Sequence, residues 1–99
     1  MSLRFVQDAV YLPARDAVKT TAIDDGNRFV SCLATRSALI VLGCTHLDGP
    51  ERMVEKFEHH RPMIESAAAF KHRRGDHNRS GALCIDAQDL CVLFGFQAV

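Results

Sequence analysis

The sequence has no tryptophan, a single tyrosine and only three prolines in 99 residues. It also has no net charge, because twelve Lys and Arg balance twelve Asp and Glu. The balance is local as well: five residues of each sign up to Pro50, and seven of each beyond it. No field therefore advertises nucleic acid or an anionic membrane, and there is no acidic or basic tail. The longest apolar run, Ala38 to Cys44, is far short of the ~20 residues that span a bilayer. The start, MSLRFVQDAV, carries Arg4 and Asp8 with no uninterrupted apolar core, so no signal peptide is expected. A cytoplasmic protein with reduced, buried thiols at Cys32, Cys44, Cys84 and Cys91 follows as the expectation. No C-x-x-C occurs, which weakens zinc and redox readings. Nor is there a nucleophile elbow, a phosphate loop or an H-E-x-x-H, so nothing raises catalysis above the background. A Cys–His dyad that meets only in space stays open. No cofactor is implied.

What is present is an ordinary globular composition, 47% hydrophobic and 24% charged. One domain over residues 1–99 is expected, large enough for a single core without metal or disulfide. Asp25-Gly26 separates two strand-like runs, Val18–Ile23 and Arg28–Leu33, and reads as a β-hairpin. A shorter strand near Val10-Tyr11-Leu12 precedes it. Ser37–Leu42 suits either a buried strand or a short helix capped by Thr35 and ended by Gly43, and periodicity does not choose. The strongest element begins at Asp48-Gly49-Pro50-Glu51, where Asp48 and Glu51 suggest a capping box and Pro50 fits the first turn. From there Met53, Phe57, His60, Ile64, Ala67 and Lys71 recur on one helical face up to Arg73-Arg74-Gly75. Pro62 must kink that helix or break it, and the apolar stripe, in phase across it, favours the kink. Ala82–Ile85 reads as a strand, Asp86 as the cap of a short turn, and Cys91–Phe96 as a final strand or an interface.

This order of signals resembles a known group. An early Tyr11, the hairpin about Asp25-Gly26, and Ser37-Ala38-Leu39…Gly43 precede Lys56–Ala68 and then Gly81–Leu90. Together they are similar to the small bacterial proteins grouped as "domain of unknown function 1488". The similarity covers most of the chain. Its most specific pieces are Phe-x3-Arg-x2-Ile-Glu (Phe57, Arg61, Ile64, Glu65) and the closing Asp89-Leu90. The resemblance implies a compact α+β domain and tips Ser37–Leu42 toward helix. It implies no activity. Pro62 within the helix and the apolar tail beyond Leu90 depart from the pattern.

Candidate ligand-facing residues are His60, Arg61, Lys71, Arg73, Arg74 and Arg79. His60 lies near the inward direction of the long helix and His59 outside it, so the two diverge and make a poor chelating pair. Arg61 can pair with Glu58 and Glu65 or anchor an anion. The basic stretch Lys71–Arg79 could hold phosphate or nucleic acid weakly, although it offers no aromatic ring for a base to stack on. A dispersed zinc site would draw on Cys44 and His46 with other histidines, His72 and His77 among them.

The expected architecture is α+β. A small antiparallel sheet, made of the N-terminal hairpin plus a C-terminal strand, packs against one long helix and one short one. Neither Phe29-Ser31-Leu33 nor Val30-Cys32-Ala34 is a fully polar set, so both sheet faces need cover. The apolar tail or a second copy of the chain could supply it. The functional expectation is a non-catalytic interaction or regulatory module, with a homodimer as the leading assembly. A phosphate or nucleic-acid binder and a zinc protein are the rivals.

Overall fold

β3 (Ala17–Ile23) is the spine of the molecule, because every N-terminal strand pairs with it. The computed structural model describes residues 3–6 and 8–95. β1 (Arg4–Phe5) and β2 (Val10–Leu12) lie one after the other along one edge of β3, both antiparallel to it. β4 (Phe29–Thr35) takes the other edge, also antiparallel, with Ile23 opposite Phe29 and Ala17 opposite Thr35. β5 (Leu83–Ile85) completes a five-stranded sheet beside β4.

The β3–β4 turn sits where Asp25-Gly26 places it, for a different local reason. The left-handed residue is Asn27 (φ 59°), while Asp24 folds its carboxylate over the turn to accept from the Gly26 and Arg28 amides at 2.9 and 3.0 Å. Asn and Asp tolerate that conformation, and the Asp side chain supplies the local acceptor.

β5 runs parallel to β4, so the sheet is mixed rather than wholly antiparallel. The reason is the connection. Three helices, α1 (Arg36–Val41), α2 (Pro50–His59) and α3 (Arg61–Arg74), lie between the two strands, and a crossover of that kind returns the chain to the end from which it started. α1 is the helix that Thr35 and Gly43 frame: Thr35 accepts from the Ala38 amide, and Gly43 follows at φ 119° with Lys56 lying against it. At α2 the capping box does not form. Gly49 holds the cap position without a side-chain bond, because Asp48 instead accepts from the Thr45 amide at 2.8 Å.

Pro62 breaks the long helix rather than kinking it. α2 ends at His60, and α3 starts afresh with Pro62 in its first turn, where no amide donor is needed. The His60 carbonyl accepts from Met63 and Ile64, so only one residue leaves the helical path. Phe57 and Ile64 consequently stay on the same inward side and are 0% and 1% exposed.

The tail after β5 is helix, not strand. α4 (Ala87–Phe94) opens on a reciprocal capping box between Asp86 and Asp89 and ends at left-handed Gly95. Phe96 lies outside the described residues. α4 packs against α1 and α3, on the helical side of the sheet. The core lies between that helical layer and one sheet face. Val18, Val30, Cys32, Ala34, Leu83 and Ile85 meet Leu39, Met53, Phe57, Ile64 and Leu90 there.

Candidate functional site

Side chains alternate across a sheet, so the pairing registers decide which residues share the side away from the helices. Val10 and Leu12 stand opposite Lys19 and Ala17, and Arg4 stands opposite Ile23. Across the next edge Phe29, Ser31, Leu33 and Thr35 stand opposite Ile23, Thr21, Lys19 and Ala17. This second face is covered unevenly. At one end Ala17, Leu33 and Ala82 form a small cluster of their own with Leu12 and Cys84. The loop after α3 closes over that end, and Asn78 Nδ2 reaches Cys84 Sγ at 3.4 Å. At the other end the cover stops. There Phe29 is 75% exposed, with half-buried Ile23 in register opposite it; Val10, 52% exposed, lies farther along the same face, on β2 in register with Lys19 and Leu33. The described part of the tail does not reach this face, because α4 belongs to the helical layer. Phe29 was visible in the sequence as one of an imperfectly polar set, but its exposure depends on where the loops end.

The candidate residues divide into different environments. Arg61 is committed to the protein. Its Nε donates to Glu65 and its Nη1 to Glu58, both at 2.8 Å, and its Nη2 reaches Thr20 Oγ1 at 3.3 Å. The guanidinium also lies 5.7 Å from the Phe57 ring centre. Glu58 in turn accepts from the Ala9 amide, so Arg61 ties the α2–α3 break to β3 and to the link between β1 and β2. His60 sits half-buried at the break itself. Burial pushes its pKa down, helped by the neighbouring His59 and Lys56, and the Leu42 carbonyl opposes the shift. His59 is exposed.

Lys71 is also turned inward, donating to the Cys84 carbonyl at 2.6 Å and to Asp89 at 3.0 Å. It fastens α3 to β5 and α4. Arg74 lies 5.4 Å from the Phe70 ring centre and 3.5 Å from Asp76. Arg73 and Arg79 are exposed. A groove of about 350 Å³ runs between α3 and α4, and Asp76, Asp86 and Asp89 line it alongside Lys71 and Arg74. The basic stretch thus meets its own counter-charges.

Cys44 is buried and His46 exposed. Among the described residues no three His, Cys, Asp or Glu gather as a metal set. His72 and His77 do come together, with His72 Nδ1 3.0 Å from His77 Nε2. Burial raises the Cys32 thiol to about 12, with Glu65 adding to it. Burial also raises the Cys44 thiol, with Asp48 adding to it. Raised pKa values of this kind keep both sulfurs protonated and poor nucleophiles.

One polar centre is absent from the candidates drawn from sequence. Arg36 grips Asp16 through two bonds, Nε–Oδ2 at 2.6 Å and Nη2–Oδ1 at 2.9 Å. Its Nη1 donates to the Thr45 and Asp48 carbonyls at 3.0 and 2.9 Å. Tyr11 adds a 2.7 Å bond to Asp16. Arg36 first, and Tyr11 second, hold the Asp16 carboxyl down at about 2. The five residues come from β2, two turns and α1, so no local motif announces them. The arrangement pins the loop before α2 to the sheet.

Fold and surface together define a small α+β domain with a helix-covered mixed sheet and one partly open sheet face. The family model described as "Protein of unknown function (DUF1488)" matches residues 3–85, and the chain belongs to that family. The crystal structure of a protein of unknown function from the same family, from Shewanella loihica PV-4, is similar to it with a TM-score of 0.77. The two are 20% identical, and the match covers 86% of this chain and 92% of the other. That likeness shows the fold. No curated protein matches the chain. Among the described residues no helix is long and apolar enough to cross a membrane.

Proposed function

We propose that this protein is a non-catalytic interaction module that pairs with a second copy of itself through the open end of its sheet. The supporting observation is Phe29, 75% exposed on a face it shares with Val10 and Ile23. Burying a side chain of that size contributes roughly 1.5–3 kcal/mol, and a two-fold interface counts each such residue twice. Around Phe29 the face carries small residues, Ser31 and the buried Thr21, with Lys19 and Arg4 as its charged positions. The tail, through Gly95, is occupied on the opposite side of the sheet.

Size-exclusion chromatography with light scattering tests this reading. The expected result is a mass of twice 11.0 kDa at high concentration and of 11.0 kDa for Phe29→Asp, which places a charge in the centre of the contact. A wild-type mass of 11.0 kDa at every concentration overturns it.

A further inference from the structure

The end of α3 folds back so that two imidazoles five residues apart meet. Gly75 adopts a left-handed conformation (φ 74°), and the amides of Gly75 and Asp76 return to the His72 and Lys71 carbonyls at 3.1 and 2.9 Å. The next residue, His77, is held by its own amide on the Gly75 carbonyl at 3.0 Å. Asn78 then braces the loop, accepting from the Ser80 and Ala82 amides. Both rings are thus placed by backbone geometry before any ligand arrives. They stand nearly perpendicular, 87° apart, with His72 Nδ1 3.0 Å from His77 Nε2. His72 is only 6% exposed, and its other nitrogen, Nε2, is buried with no hydrogen-bond partner. His77 is exposed. Beside them opens a hollow of about 220 Å³, lined also by Asp24, Arg28, Phe29 and Gly81.

The nitrogens that face each other, His72 Nδ1 and His77 Nε2, are the ones a shared ion would use, in place of the proton between them. We propose that His72 and His77 form a two-histidine site for a divalent transition-metal ion of the nickel or copper type. The spacing is compatible with that ion class. Two imidazole nitrogens 3.0 Å apart, each about 2.0–2.1 Å from a shared ion, subtend roughly 95° at it. That is close to the right angle of square-planar or octahedral coordination and narrower than the tetrahedral angle zinc prefers. His72 binds through Nδ1 and keeps its proton on Nε2; His77 binds through Nε2. No third His, Cys, Asp or Glu closes the set among the described residues, so water fills the other positions. The ligand His72 also has no partner for its distal nitrogen, and such partners strengthen metal binding about 10–100-fold. The site is therefore a weak one.

The test uses the full chain without an affinity tag, titrated with Ni²⁺ by calorimetry and followed by nuclear magnetic resonance of the imidazole rings. The expected result is one ion per chain, with paramagnetic broadening concentrated at the His72 and His77 rings. His77→Gln, at an exposed position, leaves the fold intact and weakens binding at least about tenfold. His59→Gln, which alters the neighbouring pair of rings on α2, leaves binding unchanged. Absence of saturable binding, broadening centred elsewhere, or unaltered affinity in His77→Gln overturns the proposal, and shows the 3.0 Å contact to be a hydrogen bond alone.

Discussion

The two faces of the sheet are built from alternate residues of the same strands, yet they end up in different surroundings. On β4, Val30, Cys32 and Ala34 are 6%, 1% and 0% exposed, whereas Phe29, at the start of the same strand, is 75% exposed. Composition does not separate them, because both sets contain apolar residues. What separates them is the layer above: the helices cover one face, while on the other the loop after α3 leaves an open hollow beside Phe29. An apolar strand position thus sets a demand for cover, while topology decides whether the chain meets that demand itself.

The sharpest way to break the comparison is to truncate one aromatic from each side. Phe57→Ala, in the helical core, is expected to lose about 3–5 kcal/mol in a denaturant titration, from lost burial plus the cavity left behind. Phe29→Ser is expected to change the stability of the dilute chain by no more than about 0.5 kcal/mol, and to abolish the dependence of the melting temperature on protein concentration. Equal losses at the two positions would erase the distinction between the faces.

An effect between these two is expected where the two sides are tied together. Arg36→Ala removes the clamp between the sheet and the loop before α2 and is expected to cost about 1–3 kcal/mol, because the bonded carboxylate and carbonyls lose their donor. The same substitution should alter the acid limb of stability. Asp16 is depressed from 3.8 to about 2 on folding, so its contribution is present above pH 3.8 and is lost as the pH falls toward 2. In Arg36→Ala the principal cause of that depression is gone, and the stability profile over this window should flatten. An unchanged slope would show that Arg36 does not set the Asp16 titration.

Much of this architecture is legible in the sequence wherever the signal is local. The hairpin about Asp25-Gly26 and the buried Phe57–Ile64 stripe follow from residues a few positions apart, whereas Ser37–Leu42 suits strand and helix alike and only the family resemblance tips it to the helix α1. Signals that depend on distant partners fail. Asp48 is drawn to the Thr45 amide and so does not cap α2. Pro62 starts a helix because the chain yields at one residue, His60, and a stripe that stays in phase conceals the break. The tail from Cys91 is as apolar as a strand, but the Asp86–Asp89 box starts a helix ahead of it. The direction of β5 follows from the three helices before it rather than from its own three residues. Among the site candidates, Lys71 reads as part of a basic surface because its partners, Cys84 and Asp89, lie 13 and 18 residues away. The meeting of His72 and His77 depends on the left-handed turn at Gly75, which a helical projection does not contain.

The central claim is that the open end of the sheet is a contact between two copies of the chain. Isotope-filtered nuclear Overhauser spectra of an equimolar mixture of labelled and unlabelled protein address it directly, since they record contacts between chains alone. The account predicts cross-chain signals from the Phe29 ring to Val10 or Ile23 of the other copy. Cross-chain signals confined to the helical layer, or none at all at millimolar concentration, would contradict it.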